Sequence, residues 1–220
     1  NANHGTKKGA NEPIEATGQV GQGQDFDGTD DWIGIGDVFY SDTLTIEQIV
    51  KLGQINKLHA LIHKRNAAGT VNAGVSEFQT VIGTDNKYRF SVWDSNPTEM
   101  YSLTTGTLSV DTAYYLAGVA EGNGNSLRTY IDGSADGTGN QTAAIQNTIS
   151  GIQIGSRVGE NNDRYLDGIA DEVRISSTAR SAAWIAATYD SLWDNLLTYS
   201  AEETAPTGEA TNVLFIFSLY

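Results

Sequence analysis

Apolar and polar residues alternate along most of the chain, in short runs separated by turn-forming residues. Residues 44–50 (LTIEQIV) and 88–93 (YRFSVW) show the pattern, and a turn at 83–86 (GTDN) joins the second run to residues 77–82. Alternation with period two is typical of strands with one buried face. Further runs of this kind are residues 32–35, 59–64, 114–120, 127–131, 152–154 and 169–175. Because no regular strand–helix alternation occurs, the pattern predicts an all-β fold of two antiparallel sheets packed face to face.

The C-terminal part of the chain departs from this pattern. Ser181 can cap a short helix, since Trp184, Ile185, Thr188, Tyr189 and Leu192 follow at helical spacing. A polar, turn-prone stretch at residues 201–211 separates this helix from residues 212–220 (NVLFIFSLY), which are apolar on both faces. A strand of that kind requires cover on both sides. We therefore expect a sandwich over residues 1–200, a linker over 201–211 and an extra strand over 212–220.

Composition excludes several classes of protein. The 220 residues include 13 Lys and Arg against 27 Asp and Glu, so the net charge is -14. A negative field of this size disfavours nucleic acid and anionic lipid as partners. Cysteine is absent, which excludes disulfides, thiolate metal sites and a cysteine nucleophile. No apolar run approaches the roughly 20 residues that a membrane-spanning helix needs.

Three segments carry a family resemblance. They are residues 3–6 (NHGT) with 21–33 (GQGQDFDGTDDWI), residues 127–133 (LRTYIDG), and residues 166–175 (LDGIADEVRI), the last followed by the predicted helix. In this order they resemble the laminin-G-like, concanavalin A-like jelly rolls of secreted bacterial and archaeal proteins. The resemblance implies a jelly-roll sandwich that works outside the cell or at the cell surface. It leaves function open, because members of the family belong to enzymes, adhesins and structural proteins alike.

The resemblance also implies a metal. In similar sandwiches the residue that matches Asp171 helps to hold a structural Ca²⁺ together with oxygens of the N-terminal loop, here Asn3 and His4. Alternation places Asp171 on the core side of its strand, together with Ile169, Val173 and Ile175. A carboxylate in that position needs a cation, an arginine or backbone amides as its partner. Family members usually have a strand and an acidic turn before this loop, so we expect the first edge strand to be missing here.

The sequence gives little support for an EF-hand, a zinc site or a glycosidase site. The acidic segment at residues 25–31 fails as an EF-hand, because Asp30 and Gly36 occupy the positions where Gly and Glu are required, and it is predicted to be a turn. His59 and His63 lie about 13 Å apart on a strand, too far to share one zinc ion. Glycosidases on this fold present a Glu-x-Asp-x-x-Glu strand, which does not occur in this sequence. We therefore predict that the protein is not an enzyme.

Two functions from different classes remain. The first is a structural or adhesive module that assembles with copies of itself, through a donor strand added to the same or a neighbouring sandwich. Its assembly residues would be Val213, Leu214, Phe215, Ile216, Phe217, Leu219 and Tyr220, unless they belong to a further domain. The alternative is a carbohydrate-binding module for a polysaccharide or surface glycan, since aromatic rings and nearby polar side chains form sugar sites. Its candidates are Tyr88, Trp93, Asp94, Asn96, Tyr101 and Tyr165, although the strand residues among them are also suited to the core or the rim.

Overall fold

The computed structural model describes residues 6–8, 12–37, 40–65, 76–157 and 164–196, and these residues form two antiparallel seven-stranded sheets with one helix. The first sheet runs in the order β1 (Thr6–Lys8), β4 (Trp32–Ile35), β13 (Ile152–Ile154), β6 (His59–Arg65), β7 (Ser76–Ile82), β8 (Tyr88–Trp93) and β9 (Glu99–Leu103). The second runs in the order β12 (Ser134–Gln141), β11 (Asn125–Ile131), β10 (Ala113–Glu121), β5 (Thr43–Leu52), β14 (Asp167–Ser176), β3 (Gln22–Asp27) and β2 (Ile14–Thr17). The predicted two-sheet jelly-roll sandwich is confirmed.

The core lies between the two sheets and follows the alternation of the sequence. Every second residue of β5 faces the first sheet, and every second residue of β8 faces the second. These inward residues are almost fully buried: Leu44, Ile46, Val50 and Leu52 from β5, and Tyr88, Phe90 and Val92 from β8. Burial of one such side chain contributes about 1.5–3 kcal/mol, so the period-two pattern accounts for most of the cohesion between the sheets.

One polar contact crosses the middle of this core. The side-chain amide of Gln48 donates to Thr80 Oγ1 at 3.2 Å, and the same oxygen accepts from the Ile62 backbone N–H at 3.1 Å. The pairing of β6 with β7 is irregular between Ala60 and Ile62. Thr80 therefore satisfies an amide at this irregularity and links the two sheets.

Five strands were not predicted from the sequence: β1, β2, β3, β9 and β12. The first two are edge strands on one side of the sandwich, although the sequence predicted no strand in this region. Apart from Thr138, β12 lacks the β-branched and aromatic residues typical of strands and contains glycine and aspartate instead. Strands of this composition give no alternation of apolar and polar residues, so the sequence pattern does not reveal them.

The glycines of β12 allow it to lie directly against β9 of the other sheet. A Cβ atom at Gly139 would collide with the carbonyl oxygen of Tyr101, and one at Gly137 with that of Leu103. Beside this contact, Ser102 Oγ and Thr129 Oγ1 lie 3.0 Å apart and join β9 to β11. This side of the sandwich is therefore closed by a tight contact between the edges of the two sheets.

The predicted helix is confirmed as α1 (Ala182–Leu192), which packs on the outer face of the second sheet. Its N-cap is Ser181, whose Oγ accepts from the Trp184 backbone N–H at 3.2 Å. Ile185 is completely buried in a second apolar cluster with Ile49, Tyr115, Ala117, Val119 and Tyr130. No helix in the described ranges is both long and apolar enough to cross a membrane.

The tight contact between β9 and β12 leads to a stability prediction. We expect Gly139→Ala to destabilise the fold by roughly 1–3 kcal/mol, because the added methyl group must displace backbone atoms. The measurement is the midpoint of urea unfolding, with Asn140→Ala at the adjacent exposed position as the matched control. Equal midpoints for the two variants would show that the strands do not approach this closely.

Candidate functional site

An exposed aromatic ring is held in place on the outer face of the first sheet. Tyr101 of β9 is 49% exposed, and the guanidinium carbon of Arg89 lies 4.0 Å from the centre of its ring. Arg89 also forms an ion pair with Glu99, with 2.7 Å between Nη2 and Oε1. The cation over the ring and the ion pair together restrain the three side chains.

Trp93 lies on the same face, as the register of the strands shows. Tyr101 is directly opposite Ser91 of β8, and Trp93 is directly opposite Glu99. Trp93 and Tyr101 are therefore diagonal neighbours, a spacing of about 7–8 Å between antiparallel strands that aromatic side chains can bridge. Trp93 is half-buried. The outer face of β8 and β9 thus combines two aromatic side chains with a paired cation and anion.

The turn between β8 and β9 borders this face. Asp94 Oδ1 accepts hydrogen bonds from the backbone N–H groups of Asn96 at 2.9 Å and Thr98 at 2.8 Å. Asp94 therefore acts as the cap of the turn that follows Trp93, and Asn96 is exposed within this turn. Of the six residues predicted for glycan binding, the structure brings together Trp93, Asp94, Asn96 and Tyr101.

The structure removes Tyr88 from the predicted glycan set. Its side chain is fully buried between the sheets, and this burial raises the pKa of its hydroxyl above the usual value. A ring in this position has no face that a sugar can reach. The same alternation that predicts a strand here assigns Tyr88, with Phe90 and Val92, to the inward side.

Tyr165 lies away from the other candidates. The carbonyl of its neighbour Arg164 accepts from the Ala60 backbone N–H at 3.2 Å, at the start of β6. At the start of β6, His59 is paired with Ile82 of β7, and Ile82 is paired with Tyr88 at the start of β8. Trp93 is the last residue of β8. Tyr165 and Trp93 are therefore at opposite ends of the sheet and do not form one site.

Arg89 and Glu99 belong to the site but were not among the predicted site residues. Arg89 had a visible signal, since it alternates with Ser91 and Trp93 on the polar side of β8. Glu99 had none, because β9 was not predicted and its register with β8 was therefore unknown. The pairing of Arg89 with Glu99 depends on how β8 and β9 align. The residue pattern of a single strand does not give that alignment.

Asp171 lies on the outer face of the second sheet, so its predicted position on the core side is wrong. Its partner in β5 is Ile49, and the register shifts between Asp171 and Arg174. Glu172 has a positive φ of 49° at this bulge. The extra residue reverses the alternation, so that Val173 faces the core while Asp171 does not.

Two backbone amides bind the Asp171 carboxylate. Oδ2 accepts from the Val20 N–H at 2.9 Å, and Oδ1 accepts from the Glu172 N–H at 2.8 Å. This matches the alternative in which Asp171 caps backbone amides. The other two predicted calcium ligands, Asn3 and His4, lie outside the described residues, so the calcium site stays a prediction.

A cavity of about 430 Å³ opens beside Asp171. The ion pair of Lys51 and Asp111, with 3.7 Å between Nζ and Oδ1, lies at its wall. It is lined by Thr17, Gly18, Gln19, Ile49, Lys51, Asp111, Ala113, Ile169 and Asp171. The volume suits a small ligand, but the lining contains no aromatic ring for a sugar to stack on.

The acidic segment between β3 and β4 forms the predicted turn. Asp27 Oδ1 accepts from the Thr29 N–H at 2.8 Å, and Asp31 Oδ2 accepts from the Asp27 N–H at 3.1 Å. Carboxylate oxygens of Asp27, Asp30 and Asp31 lie within 4.8 Å of one another. Burial, together with the charges of these neighbours, raises the pKa of Asp31.

The two histidines of β6 have separate structural partners. His59 Nδ1 accepts from the Asp167 backbone N–H at 3.2 Å, so its Nε2 carries the proton that is donated to the Gln54 carbonyl at 3.0 Å. His63 Nε2 lies 3.2 Å from Ser76 Oγ. Burial lowers the pKa of both rings, and both therefore act as neutral hydrogen-bonding groups of the interior.

Sheet order, core and helix together define a concanavalin A-like jelly roll. The chain belongs to the laminin G-like family of the concanavalin A-like lectin/glucanase superfamily, because the family model matches residues 27–186. This confirms the resemblance seen in the sequence. A search of curated protein sequences found no match.

Several solved structures that are similar to this chain are binding domains. The binding domain of Paraclostridial Mosquitocidal Protein 1 is 12% identical with a TM-score of 0.67, over 85% of this chain and 47% of that chain. This chain therefore spans about half of that domain. The CBM40 of Ruminococcus gnavus IT-sialidase, bound to α2,3-sialyllactose, is 13% identical with a TM-score of 0.59, over 84% and 98%. Domain 4 of the Geobacillus stearothermophilus arabinanase AbnA, in complex with arabinotriose, is 16% identical with a TM-score of 0.59, over 83% and 86%. At these identities the likeness shows the fold alone.

Proposed function

We propose that this protein is a non-catalytic carbohydrate-binding module that works outside the cell, and that Trp93, Tyr101 and Asn96 contact the sugar. The observation that carries this proposal is the exposed Tyr101 ring, restrained by Arg89 and flanked by Trp93 on a rigid pair of strands. Sugar rings present a C–H face that packs on aromatic rings and a rim of hydroxyls that needs donors and acceptors. The outer face of β8 and β9 offers both.

The polar groups of this face suit hydroxyl recognition. Arg89 can donate to ring or hydroxyl oxygens, Glu99 can accept from hydroxyls, and Asn96 can do both. Because Arg89 and Glu99 already hold each other at 2.7 Å, little side-chain entropy is lost when a ligand binds. Sugar-bound neighbours of the same fold, with sialyllactose and arabinotriose, support this choice of ligand class.

The same groups argue against glycoside hydrolysis. That reaction needs a pair of carboxyl groups about 5–9.5 Å apart, one of them free to donate a proton. Of the acidic residues on this face, Glu99 is ion-paired with Arg89 and Asp94 caps two amides of the turn. Both carboxylates are already engaged in these contacts, so the face is suited to binding rather than catalysis.

Self-assembly through the C-terminal strand is the second candidate. The tail, including all seven predicted assembly residues, lies outside the described residues. Within the described ranges, β2 has a partner strand on one side only, and its first residue, Ile14, is 62% exposed. The opposite side of the sandwich is closed by the contact of β9 with β12. Of the two described edges on the other side, β1 and β2, we assign the tail of a neighbouring copy to β2, where Ile14 is exposed, since unpaired edges accept added strands.

A structural calcium ion near Asp171 is a separate proposal. Asp171 is the acidic residue that the family resemblance matches to the metal position, and each of its oxygens accepts one hydrogen bond and retains a lone pair. The ion would be held by this carboxylate and by oxygens of Asn3 and His4, and it would fix the N-terminal loop to β14. Calcium requires six to eight oxygen ligands, so carbonyl groups would complete the set.

A glycan array followed by titration tests the carbohydrate proposal. We expect binding to a subset of glycans, and a loss of about tenfold in affinity, near 1.4 kcal/mol, in both Trp93→Ala and Tyr101→Ala. The matched control is Trp184→Ala, because Trp184 is 48% exposed and stacks with Arg180 at 4.2 Å, but lies on the helix of the other sheet. An array without any bound glycan would contradict the function. An equal loss in the control would contradict the site.

Light scattering of the full chain tests self-assembly. We expect species larger than a monomer that increase with protein concentration, and monomers only after deletion of residues 211–220, because the donor strand is then gone. Glu203→Ala in the linker is the control and should assemble like the unaltered chain. If the full chain stays monomeric at all concentrations, the tail does not join copies.

Thermal unfolding with and without EDTA tests the calcium proposal. We expect EDTA to lower the melting temperature, since a ligand at a hundredfold excess over its Kd stabilises by about 2.7 kcal/mol. Asp171→Asn should remove this difference, while Asp111→Asn, at the exposed wall of the same cavity, should retain it. An identical melt in EDTA and in calcium would leave Asp171 as an amide cap alone.

A further inference from the structure

A completely buried lysine lies between two carboxylates at one end of the sandwich. Lys64 Nζ is 2.9 Å from Glu77 Oε2 and 3.0 Å from Asp37 Oδ1. The side chains of Lys64 and Glu77 are 0% and 1% exposed, whereas that of Asp37 is 41% exposed. Burial of an ammonium group in an apolar interior is costly even when it is paired. The arrangement therefore calls for a physical reason.

The residues paired with Lys64 on the two neighbouring strands are apolar. Its register partners are Phe78 of β7 and Ile152 of β13, and both belong to the main core. Glu77 Oε2 also accepts from Thr148, through the backbone N–H at 2.8 Å and Oγ1 at 3.1 Å. The other oxygen, Glu77 Oε1, is buried without a hydrogen-bond partner among the described residues. Burial raises the pKa of Glu77, so this carboxyl group is suited to take up and release a proton.

We propose that Lys64 and Asp37 condense into an intramolecular isopeptide bond, with Glu77 as the catalytic acid and base. Lys64 Nζ, once deprotonated, attacks Cγ of Asp37 and forms the C–N bond. That first proton passes through Glu77 to a carboxylate oxygen of Asp37. After the attack, Glu77 accepts a second proton from the nitrogen and delivers it to the same oxygen, which leaves as water when its bond to Cγ breaks. The ammonium and carboxylate groups thus become one neutral amide and one water molecule, and no oxidant or cofactor is needed.

Two physical terms favour this reaction over a persistent ion pair. The fold holds the amine and the carboxyl in contact, and such orientation can correspond to effective concentrations on the order of 10⁵ M or more. Condensation also removes two charges from a site where charge is poorly solvated, and it leaves an amide that Glu77 can bind as acceptor. Asp37 is the partly exposed member of the group, so the expelled water has a direct path to solvent.

The bond would connect the segment between β4 and β5 to the end of β6. Asp37 lies two residues after Ile35, the end of β4, and Lys64 is the last residue but one of β6. The chain contains no cysteine, so this amide would be a covalent link of a kind that disulfides cannot provide here. The inference is independent of the proposed glycan site, which lies on β8 and β9.

Intact mass spectrometry of the full chain, denatured after purification, tests the proposal directly. We expect a mass about 18 Da below that of the sequence, the loss of one water. Tryptic digestion should give a branched peptide that contains Asp37 and Lys64, with cleavage after Lys64 blocked. A mass equal to that of the sequence would overturn the proposal, whatever the behaviour of any variant.

Three substitutions identify the roles of the residues. Lys64→Arg and Asp37→Ala should restore the full mass, because one reacting group is lost. Glu77→Gln should also give the full mass in a folded protein, as judged by circular dichroism, because the proton acceptor is gone. The internal control is the exposed pair of Lys51 and Asp111, which should give no linked peptide. A branched peptide of unchanged yield in Glu77→Gln would remove Glu77 from the reaction.

Discussion

The contact between β9 and β12 determines how the rest of the sandwich is arranged. Two sheets that pack through side chains lie about 10 Å apart, and they can meet at an edge only where side chains are absent. Gly137 and Gly139 provide this absence, and they bring β12 against the carbonyl groups of Leu103 and Tyr101. The backbone of Tyr101 is thereby fixed toward the other sheet while its ring points outward. The same contact closes one lateral side and leaves β1 and β2 as the described edges of the other side.

The acidic composition has a structural explanation in the turns. Asp42 accepts from the backbone N–H groups of Ile145 at 2.8 Å and Asn123 at 3.1 Å, so it joins two loops at one end of the sandwich. Asp136 accepts from the N–H of Gly106 at 3.0 Å and from Thr105. These hydrogen bonds outweigh its partial burial and hold its pKa below the usual value. Part of the acidic composition, with its net charge of -14, therefore serves to bind backbone amides that would otherwise lack a partner.

Sequence patterns predicted the parts of the fold that depend on the burial of one strand face. β4, β8 and β13 begin and end where the alternation indicated, and Ser181 caps the helix as expected. The errors have a different origin. The strand β12 is built from residues that suit close packing of backbones rather than burial of side chains. Asp171 was assigned to the wrong face because a single bulge at Glu172 reverses the alternation, and nothing in the residue types marks that bulge.

The candidate site was likewise predictable only where it depends on the pattern of a single strand. Trp93 and Asn96 were visible in the sequence because they end a predicted strand and form its turn. Tyr101 was grouped with them by residue type alone. The ion pair of Arg89 with Glu99 was not predicted, because it depends on the register of a strand that the pattern did not reveal.

The candidate binding face and the contacts that hold the two sheets together lie on different parts of the molecule. The aromatic face is carried by the outer side of β8 and β9, where substitutions leave the core intact. Cohesion comes from the interior, through the inward residues of β5 and β8, the bridge from Gln48 to Thr80, and the buried Lys64 group. Because the sequence contains no cysteine, resistance to unfolding must come from such internal contacts rather than from disulfides. The burial of a lysine beside the buried Glu77 and the partly exposed Asp37 is otherwise unfavourable, and it is best understood as part of that resistance.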